Sequence, residues 1–353
     1  MDAVRCRFRF RASLVGAVLG DCIGSKYEGM SRVRMQNLIA DVRALHERDT
    51  RDLRYTDDTA MTRSVAGSLI VHEKFAAEDM ALRFAKEFQK DPGRGYSPGI
   101  SNLFEKLLQR NLAGGEVFRP AEEQFQGKGS YGNGAAMRIA PVALAYPDID
   151  DIKEVARQIA RLTHAHVLGY NGAILQALAV HFALHDDNVD KMSFVNKLIA
   201  EMDPLEATAN ASLNPEDKPY CKKLEKMKEY LDKKNLSKED VVKQFGHGVR
   251  ALDSVPTAIF SFLHCLEPES EILAEFSGLA RTIVYSVWLG GDTDTIASMA
   301  GAIAGAYYGV ESSPTQWIQY CEGVKEAEQN ADGLLALYCK RVQEREADAS
   351  PSN

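Results

Sequence analysis

The spacing of apolar residues along this chain is typical of helices. Apolar side chains recur three and four positions apart, with proline and glycine at the breaks, and no stretch of alternating or β-branched residues demands a strand. The pattern therefore predicts an all-α protein, a compact helical bundle in one domain. The predicted helices cover roughly 12–23, 57–71, 76–90, 100–110, 135–144, 152–163, 169–185, 193–202, 218–233, 255–265, 270–289, 297–308 and 314–343.

Two of the predicted helices carry a glycine at every fourth position. Glycines four apart lie on one helical face and let another helix approach closely. Each costs about 1 kcal/mol against alanine, so close packing would offset the loss. Our hypothesis is that the two helices cross near each other, although two independent glycine-rich core helices would show the same pattern. The glycines are Gly16, Gly20 and Gly24 in the first helix, and Gly301, Gly305 and Gly309 in the second.

Carboxylates and hydroxyls alternate immediately before the second of these helices. Asp292, Thr293, Asp294 and Thr295 follow a flexible glycine pair and stand where a helix N-terminus favours negative charge. A single Asp or Thr there would be an ordinary N-cap. Four oxygen-bearing side chains in a row exceed what a cap requires, and such oxygens are the ligands that Mg²⁺ prefers.

A second cluster of the same kind precedes the helix predicted at 57–71. Thr56, Asp57, Asp58 and Thr59 again place adjacent carboxylates and hydroxyls at a helix N-terminus. Two acidic helix N-termini that faced each other would repel unless cations lay between them. If the two clusters face each other, one or two Mg²⁺ ions explain both. The alternative is that both clusters are only helix caps.

A glycine-rich loop is the third informative stretch, Gly127-Lys-Gly-Ser-Tyr-Gly-Asn-Gly134. Its glycines match GxGxxG, but the residues before it are polar and no buried strand precedes it, so we reject a dinucleotide fingerprint. Its backbone amides could still approach a pyrophosphate. Phe125 and Tyr131 flank the loop and could stack on a base or belong to the core. His164 and His166 form an HxH pair in helical surroundings, which favours hydrogen bonding over zinc binding.

Composition narrows the function class. The 42 basic and 50 acidic residues give a net charge of −8, which argues against a general nucleic-acid-binding surface and predicts no direct DNA binding. The six cysteines are scattered, as expected for reduced thiols in an intracellular protein. The longest apolar stretch, 296–310, is short and rich in glycine and alanine, so no membrane span is predicted.

Three segments are predicted to lie outside the main packing. Residues 1–11 carry four arginines and form a basic tail, or a weak mitochondrial address. Residues 203–245 are rich in charge and lysine, which predicts a solvated helical insertion within a domain that spans 12–346. Residues 347–353 have the composition of a disordered tail.

In these stretches taken together, the chain resembles the ADP-ribosylglycohydrolase (ADP-ribosyl-acceptor hydrolase) family from about Ser13 to Leu337. Within the family it is most similar to the vertebrate branch that removes ADP-ribose from serine and degrades poly(ADP-ribose). The Asp-Thr-Asp-Thr and Gly-Ser-Tyr-Gly-Asn spellings favour that branch over the arginine-specific one. The carriers are Gly20-Asp21 with Glu28, Tyr55-Thr-Asp-Asp-Thr-Ala-Met61, Gly127-Lys-Gly-Ser-Tyr-Gly-Asn-Gly134 and Gly291-Asp-Thr-Asp-Thr295.

The resemblance implies a two-metal cleft formed by helix N-termini and loops, with two Mg²⁺ ions. It implies catalytic roles for Glu28, on a mobile flap, and for Asp292. The metal ligands it implies are Glu28, Thr56, Asp57, Asp58, Asp292, Asp294 and Thr295. The substrate-binding residues it implies are Gly95, Phe125, Gly129, Ser130, Tyr131, Gly132, Asn133, His164 and Val249.

The implied activity is Mg²⁺-dependent hydrolysis at ribose C1 of ADP-ribosylated serine and poly(ADP-ribose), and of O-acetyl-ADP-ribose, with release of ADP-ribose. The partners are then ADP-ribosylated proteins and the polymer. A monomer is expected, in the nucleus and cytoplasm and in the mitochondrial matrix if the basic start is an address. Two alternatives stay open, a metal-dependent phosphohydrolase that cuts the pyrophosphate and a non-catalytic ADP-ribose reader.

Overall fold

A computed structural model describes residues 3–46, 53–109, 116–208, 217–268, 271–309 and 314–349. Within these ranges the chain forms helices and no strand, and the only strand-like pairings are two isolated bridges, so the all-α prediction is confirmed. The helices are α1 Ala3–Gly24, α2 Met35–Arg43, α3 Asp57–His72, α4 Ala77–Lys90, α5 Pro98–Gln109, α6 Arg119–Glu122, α7 Gln124–Gly127, α8 Ala140–Ala145, α9 Ile149–Arg161, α10 Val167–His185, α11 Lys191–Thr208, α12 Pro219–Leu231, α13 Lys238–Phe245, α14 Ala251–His264, α15 Glu271–Ala274, α16 Gly278–Leu289, α17 Thr293–Tyr308, α18 Thr315–Tyr320 and α19 Val324–Ala349.

The two glycine-bearing helices, α1 and α17, pack against each other along their length. A Cβ on Gly16 would lie 2.3 Å from the carbonyl oxygen of Gly301, and a Cβ on Gly20 would lie 2.1 Å from that of Ala297. Real Cβ atoms do not approach so closely, so glycine is required for the two backbones to meet. The hypothesis that these helices cross is confirmed.

The centre of the fold is α17. Its residues from Thr293 to Ala306 are buried, and α1, α10, α14 and α16 surround it. A helix that is apolar on every face must lie inside the protein. Among the described residues, α10 is the one helix long and apolar enough to cross a membrane. Of its most apolar stretch, 83% is buried inside the protein, as in a core helix. Burial of α17 fixes its N-terminus, and with it Asp292 to Thr295, in the interior.

The arginines of the first eleven residues are not a solvated tail, because they lie in the first turns of α1. Arg7 and Arg11 both donate to Asp332 in α19, and Arg9 is 3% exposed and donates to the carbonyl of Leu184. The alternating sequence conceals this, since arginines two apart on a helix reach different neighbours. The chain therefore begins its packed structure well before residue 12.

The described part of the charged segment 203–245 contains the end of α11 and helices α12 and α13, and it packs against the rest of the protein. Tyr220 and Leu224 in α12 and Phe245 in α13 are fully buried, against α14 among other elements. Lys223 donates to the carbonyls of Gln244 and Phe245, so not every lysine of the segment is solvated. Residues 209–216 lie outside the described part of the chain.

Several predicted boundaries were wrong. The helix predicted at 270–289 is two helices, since Ser277 accepts from the backbone N–H of Ala280 and begins α16 anew. The helix predicted at 314–343 breaks at Gly323, which has φ of +85°. Residues 135–139 form turns, and only α8 is helical there. Helix α2 was not predicted, and α19 continues to Ala349, so 347–349 are helical while 350–353 lie outside the described residues.

Candidate active site

The two acidic clusters meet, at the N-termini of α3 and α17. The hydroxyl of Thr295 donates to Asp58 Oδ2 at 3.3 Å, and the hydroxyl of Thr56 donates to the same oxygen at 3.0 Å. Carboxylate oxygens of Asp58 and Asp294 lie within 4.8 Å of each other. The prediction that distant acidic segments face each other is confirmed.

The end of α1 brings a further carboxylate, Asp21, against the first turn of α3. Asp21 is fully buried and accepts hydrogen bonds from the backbone N–H of Thr56 at 2.9 Å, the N–H of Thr59 at 3.0 Å and the Thr59 hydroxyl at 2.6 Å. These are N–H groups that an α-helix leaves unsatisfied at its start. Asp21 therefore fixes the first turn of α3, and the close packing of α1 on α17 fixes Asp21.

The donor set at this junction suits a hard divalent cation. Two groups of carboxylates each have oxygens within 4.8 Å of one another: Asp21, Asp58 and Asp294, and Glu28, Asp292 and Asp294. Asp58 Oδ1 is buried without a hydrogen-bond partner among the described residues, whereas the oxygens of Asp21 are occupied by backbone and hydroxyl donors. Asp58 thus has a free ligand oxygen, and Asp294 belongs to both groups.

Burial and mutual repulsion raise the pKa values of these carboxyls. Burial is the larger cause, followed by neighbouring carboxylates, and together they raise the pKa of Asp57 to about 8 and that of Asp294 to about 10. The pKa of Asp58 rises well above its ordinary value for the same reasons. A cation between the clusters would reverse this effect, because it favours the charged form of every carboxyl near it.

Glu28 stands at the rim, held by contacts on both sides. Tyr27 is buried, and its hydroxyl donates to Asp41 in α2. After Glu28, the N–H of Gly29 donates to Gly291 O at 2.9 Å and the N–H of Gly291 donates to Met30 O at 3.0 Å. Partial burial, followed by the charge of Asp292, raises the pKa of Glu28. A carboxyl that keeps its proton more readily is suited to proton transfer.

The glycine loop lies beside the clustered carboxylates. The side-chain amide of Asn133 donates to Asp292 Oδ2 at 2.6 Å and to the hydroxyl of Ser254 at 3.0 Å. Its two N–H groups are therefore both used, and the carboxamide has one orientation. The glycine loop is thereby hydrogen-bonded to Asp292, one of the clustered carboxylates.

The linker between α13 and α14, residues 246–250, joins the glycine loop to the segment before α17 through its backbone. The carbonyl of His247 accepts from the N–H of Asp292 at 2.8 Å, and the carbonyl of Val249 accepts from the N–H of Asn133 at 2.9 Å. Backbone bonds of this kind leave little freedom for either loop to move alone. The site is built on three segments that brace one another.

These segments enclose a cleft of about 350 Å³, within the range of ligand pockets. At its mouth Phe125, Tyr131 and Val249 are exposed by 60%, 48% and 65%, although they are large apolar side chains. Phe125 also has a φ of +51°, a conformation that a bulky residue rarely adopts. Exposed aromatic faces beside a glycine-rich loop are suited to stacking on a planar ring.

Most of the predicted site residues line this cleft. Unpredicted neighbours, among them Tyr96 and Arg138, complete its wall. The predicted residues that line it are Glu28, Asp57, Gly95, Phe125, Ser130, Tyr131, Gly132, Asn133, His164, Val249, Asp292, Asp294 and Thr295.

Three predicted residues lie elsewhere. Thr56 and Asp58 do not line the cleft. Asp58 is 1% exposed, so it could bind a cation only on the side of that cation that faces the protein interior. Gly129 turns away from the cleft, because a Cβ on it would lie 2.5 Å from the backbone nitrogen of His166, and its φ is +71°. Its conformation is that of a turn residue, and a ligand contact through its backbone stays a prediction.

Three residues that shape the site were given no role from the sequence, although Asp21 was among the residues that carry the family resemblance. Asp21 anchors α3, and its signal was a lone carboxylate inside an otherwise apolar, glycine-rich helix. Arg138 is a buried arginine in a stretch of small apolar residues, the same kind of signal. Ser254 orients Asn133, but a serine in a helix carries no local sign of a partner 121 residues away.

The chain is similar to known proteins in sequence and in fold. A sequence model described as ADP-ribosylglycohydrolase matches residues 3–344. The protein named ADP-ribosylhydrolase ARH3 from Homo sapiens is 48% identical over 350 residues, covering 96% of each chain, and that from Gallus gallus is 48% identical over 351 residues, covering 95% of this chain and 94% of its own. A solved chain described as an ADP-ribosylglycohydrolase-related protein complex shares the fold, with a TM-score of 0.64 at 21% identity over 95% of this chain and 99% of its own.

Proposed function

The chain belongs to the ADP-ribosylglycohydrolase family, and we propose that it hydrolyses the bond between ribose C1 and a serine oxygen in ADP-ribosylated proteins. Members of the family are glycosidases, and this protein is an ADP-ribosyl hydrolase. The proposal extends to the ribose–ribose bonds of poly(ADP-ribose) and to O-acetyl-ADP-ribose, which present the same C1–oxygen bond.

One observation carries the proposal. The cluster of carboxylates and the glycine loop share one cleft and touch through Asn133 and Asp292, which are 2.6 Å apart. An ADP-ribosyl group has a pyrophosphate for the loop amides, a base for the exposed aromatics and a ribose diol for the carboxylate end.

We propose two Mg²⁺ ions at the carboxylate end, held by Asp57, Asp58, Asp292, Asp294 and the hydroxyls of Thr56 and Thr295, with Glu28 at the rim. The free oxygen of Asp58 and the two overlapping carboxylate groups support this assignment. When bound, such ions orient a sugar diol and polarise the oxygens around the reacting carbon.

The chain's own residues would then manage binding and protons. His164 is buried and neutral, since burial followed by the charge of Arg138 lowers its pKa to about 3, so it can donate one hydrogen bond to a phosphate oxygen. Glu28 is the first candidate to transfer the proton that the serine oxygen needs as it leaves an oxocarbenium-like ribose. Asp292 is the second, but its hydrogen bond from Asn133 favours a fixed, orienting role.

Two other functions would use the same cleft. A phosphohydrolase would cut the pyrophosphate and release AMP, and a reader would bind ADP-ribose without turnover. Product analysis separates all three. The carboxyl of Glu28 at the edge of the cluster favours catalysis over reading, because a reader has no use for a group that can transfer a proton.

The test is to incubate the protein with two matched peptides, one ADP-ribosylated on serine and one on arginine, with Mg²⁺ and with EDTA. We expect free ADP-ribose from the serine peptide with Mg²⁺, little from the arginine peptide and none with EDTA. Asp57→Asn and Asp294→Asn should abolish release, while Asn196→Asp, on an exposed face of α11, should not. Release of AMP, or binding without release, would refute the proposal.

A further inference from the structure

Arg138 is buried in the cleft wall without a carboxylate partner. It is 1% exposed, and no salt bridge to it is found among the described residues, although the charge of Asp57 favours its charged form. Removing a guanidinium from water is costly unless its N–H groups are well used. A cation kept at such a cost needs a compensating role, and its contacts indicate what that role is.

The guanidinium bonds to the backbone of the glycine loop and to the side chain of Thr163, next to His164. Its Nη1 donates to the carbonyl of Gly134 at 3.0 Å, at the end of the glycine loop. Its Nη2 donates to the hydroxyl oxygen of Thr163 at 2.6 Å. The guanidinium also lies over the ring of Phe84, 4.5 Å from the ring centre. Arg138 thus has a fixed position between the loop and Thr163.

Thr163 in turn orients His164. Thr163 is fully buried, and its hydroxyl oxygen lies 2.7 Å from His164 Nδ1. That oxygen already accepts from Arg138, and no other acceptor for its hydrogen is found among the described residues. If Nδ1 carried the hydrogen, the threonine hydroxyl would be left as a buried donor without a partner, which is unfavourable. Thr163 therefore donates to Nδ1, and the ring hydrogen is on Nε2.

The Nε2 edge of the ring faces the glycine loop. A Cβ on Gly132 would lie 3.3 Å from His164 Nε2, and a Cβ on Gly134 would lie 2.9 Å from Cε1 and 3.1 Å from Nε2. Only glycine at these positions lets the ring edge reach the loop. An anion cradled by the loop would therefore meet an N–H of His164 and not a lone pair.

We propose that Arg138 is a positioning residue that acts through Thr163 to fix His164 in the tautomer with its hydrogen on Nε2. In this tautomer the ring donates to an anionic oxygen held by the glycine loop. The inference rests on the proposed function only in identifying that oxygen as part of the ADP-ribose pyrophosphate. The tautomer itself is a property of the protein without ligand.

The experiment measures the tautomer and the affinity separately. Full-length protein labelled with ¹⁵N-histidine gives long-range ¹H–¹⁵N correlations that distinguish the two tautomers, and a His164→Asn variant identifies the signals of His164. We expect the Nε2–H pattern in the wild type and in Thr163→Ser, which keeps the hydroxyl. We expect Thr163→Val and Arg138→Met to lose that pattern or mix it with the other.

Affinity for ADP-ribose in the presence of Mg²⁺ is measured by calorimetry on the same variants. In Thr163→Val the ring N–H of His164 would no longer point at the pyrophosphate oxygen, so the Kd should rise about tenfold or more. The Kd of Thr163→Ser should be close to that of the wild type. Thr282→Val is the control, because Thr282 is equally buried, bonds only to the carbonyl of Gly278 and does not line the cleft. It should change neither the tautomer nor the Kd.

The outcomes are separable. An Nδ1–H pattern in the wild type would overturn the inference, even if no variant folded. So would a Thr163→Val protein that keeps both the wild-type tautomer and the wild-type Kd. If the wild type fails to bind ADP-ribose at all, the proposed function fails, whereas the tautomer measured without ligand still decides the role of Arg138 and Thr163.

Discussion

The side-chain amide of Asn133 donates a hydrogen bond of 2.6 Å to Asp292 Oδ2, across 159 residues of sequence. One residue belongs to the glycine loop and the other begins the central helix α17. The contact means that the end of the cleft suited to phosphates and the end suited to cations are fixed relative to each other. A small shift of either loop would therefore displace the other.

Asn133→Ala should therefore lower turnover and cation affinity together, each by about 10–100-fold, as is usual when a partner of a metal-binding carboxylate is removed. Asn133→Asp should be at least as damaging, because it places a second negative charge against Asp292. Steady-state kinetics and Mg²⁺ titration measure the two effects. A variant with a wild-type Mg²⁺ midpoint would show that the contact does not couple the two ends.

The raised carboxyl pKa values predict how stability depends on pH when cations are removed. Asp57 and Asp294, with pKa values of about 8 and about 10 when folded, hold protons that the unfolded chain releases near pH 4. The folded state binds more protons, so their contribution to stability is present below pH 4 and is lost as pH rises through the folded values. In EDTA, the Tm should fall between pH 5 and pH 9.

Mg²⁺ should oppose this loss, because it binds the ionised carboxylates of the folded state. At a concentration of one hundred times its Kd the gain is about 2.7 kcal/mol. At one fixed Mg²⁺ concentration the gain should be larger at pH 8.5 than at pH 5.5, because more of the carboxyls are ionised and the Kd is lower. Thermal unfolding with and without Mg²⁺ at both values measures it, and Asp294→Asn should reduce the pH dependence. A gain that is absent, or greater at the acidic pH, would contradict the prediction.

Gly20→Ala should destabilise the protein by about 2 kcal/mol or more, because the new Cβ would lie 2.1 Å from the backbone oxygen of Ala297 and would push α1 from α17. Gly99→Ala is the matched control, since a Cβ there meets nothing within 4 Å. Denaturant titration of both variants measures the difference. Equal stability for the two would mean that the close helix contact is not needed.

Glu28→Gln separates binding from catalysis. The amide keeps the size and hydrogen-bonding reach of the side chain but cannot transfer a proton, so turnover should fall about 10²–10⁴-fold. The Kd for ADP-ribose should stay within a few-fold of the wild type. Glu239→Gln, an exposed change in α13, should leave both unchanged. A Glu28→Gln enzyme with a wild-type rate would remove Glu28 from the mechanism.

Local patterns were sufficient to predict the helical class, the crossing of α1 and α17 and the meeting of the acidic clusters. The glycine spacing is visible locally in the sequence, but it indicates a long-range contact, because glycine at every fourth position is needed where a second helix backbone packs closely. The motif residues around Asp57 and Asp294 were likewise visible because four oxygen side chains in a row exceed the needs of a cap.

What could not be predicted depends on partners far away in the sequence. Arg7 and Arg11 read as a tail because Asp332 is more than three hundred residues distant. Gly129 was grouped with ligand-binding residues because its φ of +71° is invisible in the sequence. Arg138 carries a charge in a small apolar stretch, but which groups its N–H donors meet is decided only when α9 and the glycine loop pack around it.

The most direct test of the central claim is the anomalous scattering of Mn²⁺ in crystals of the wild-type protein grown without Mg²⁺. Two ions about 3.5–4 Å apart are expected between the N-termini of α3 and α17. One should contact Asp58 and both should be near Asp294, and Asp57→Asn should weaken the peaks. Strong Mn²⁺ peaks elsewhere, with none between Asp57 and Asp294, would contradict the account.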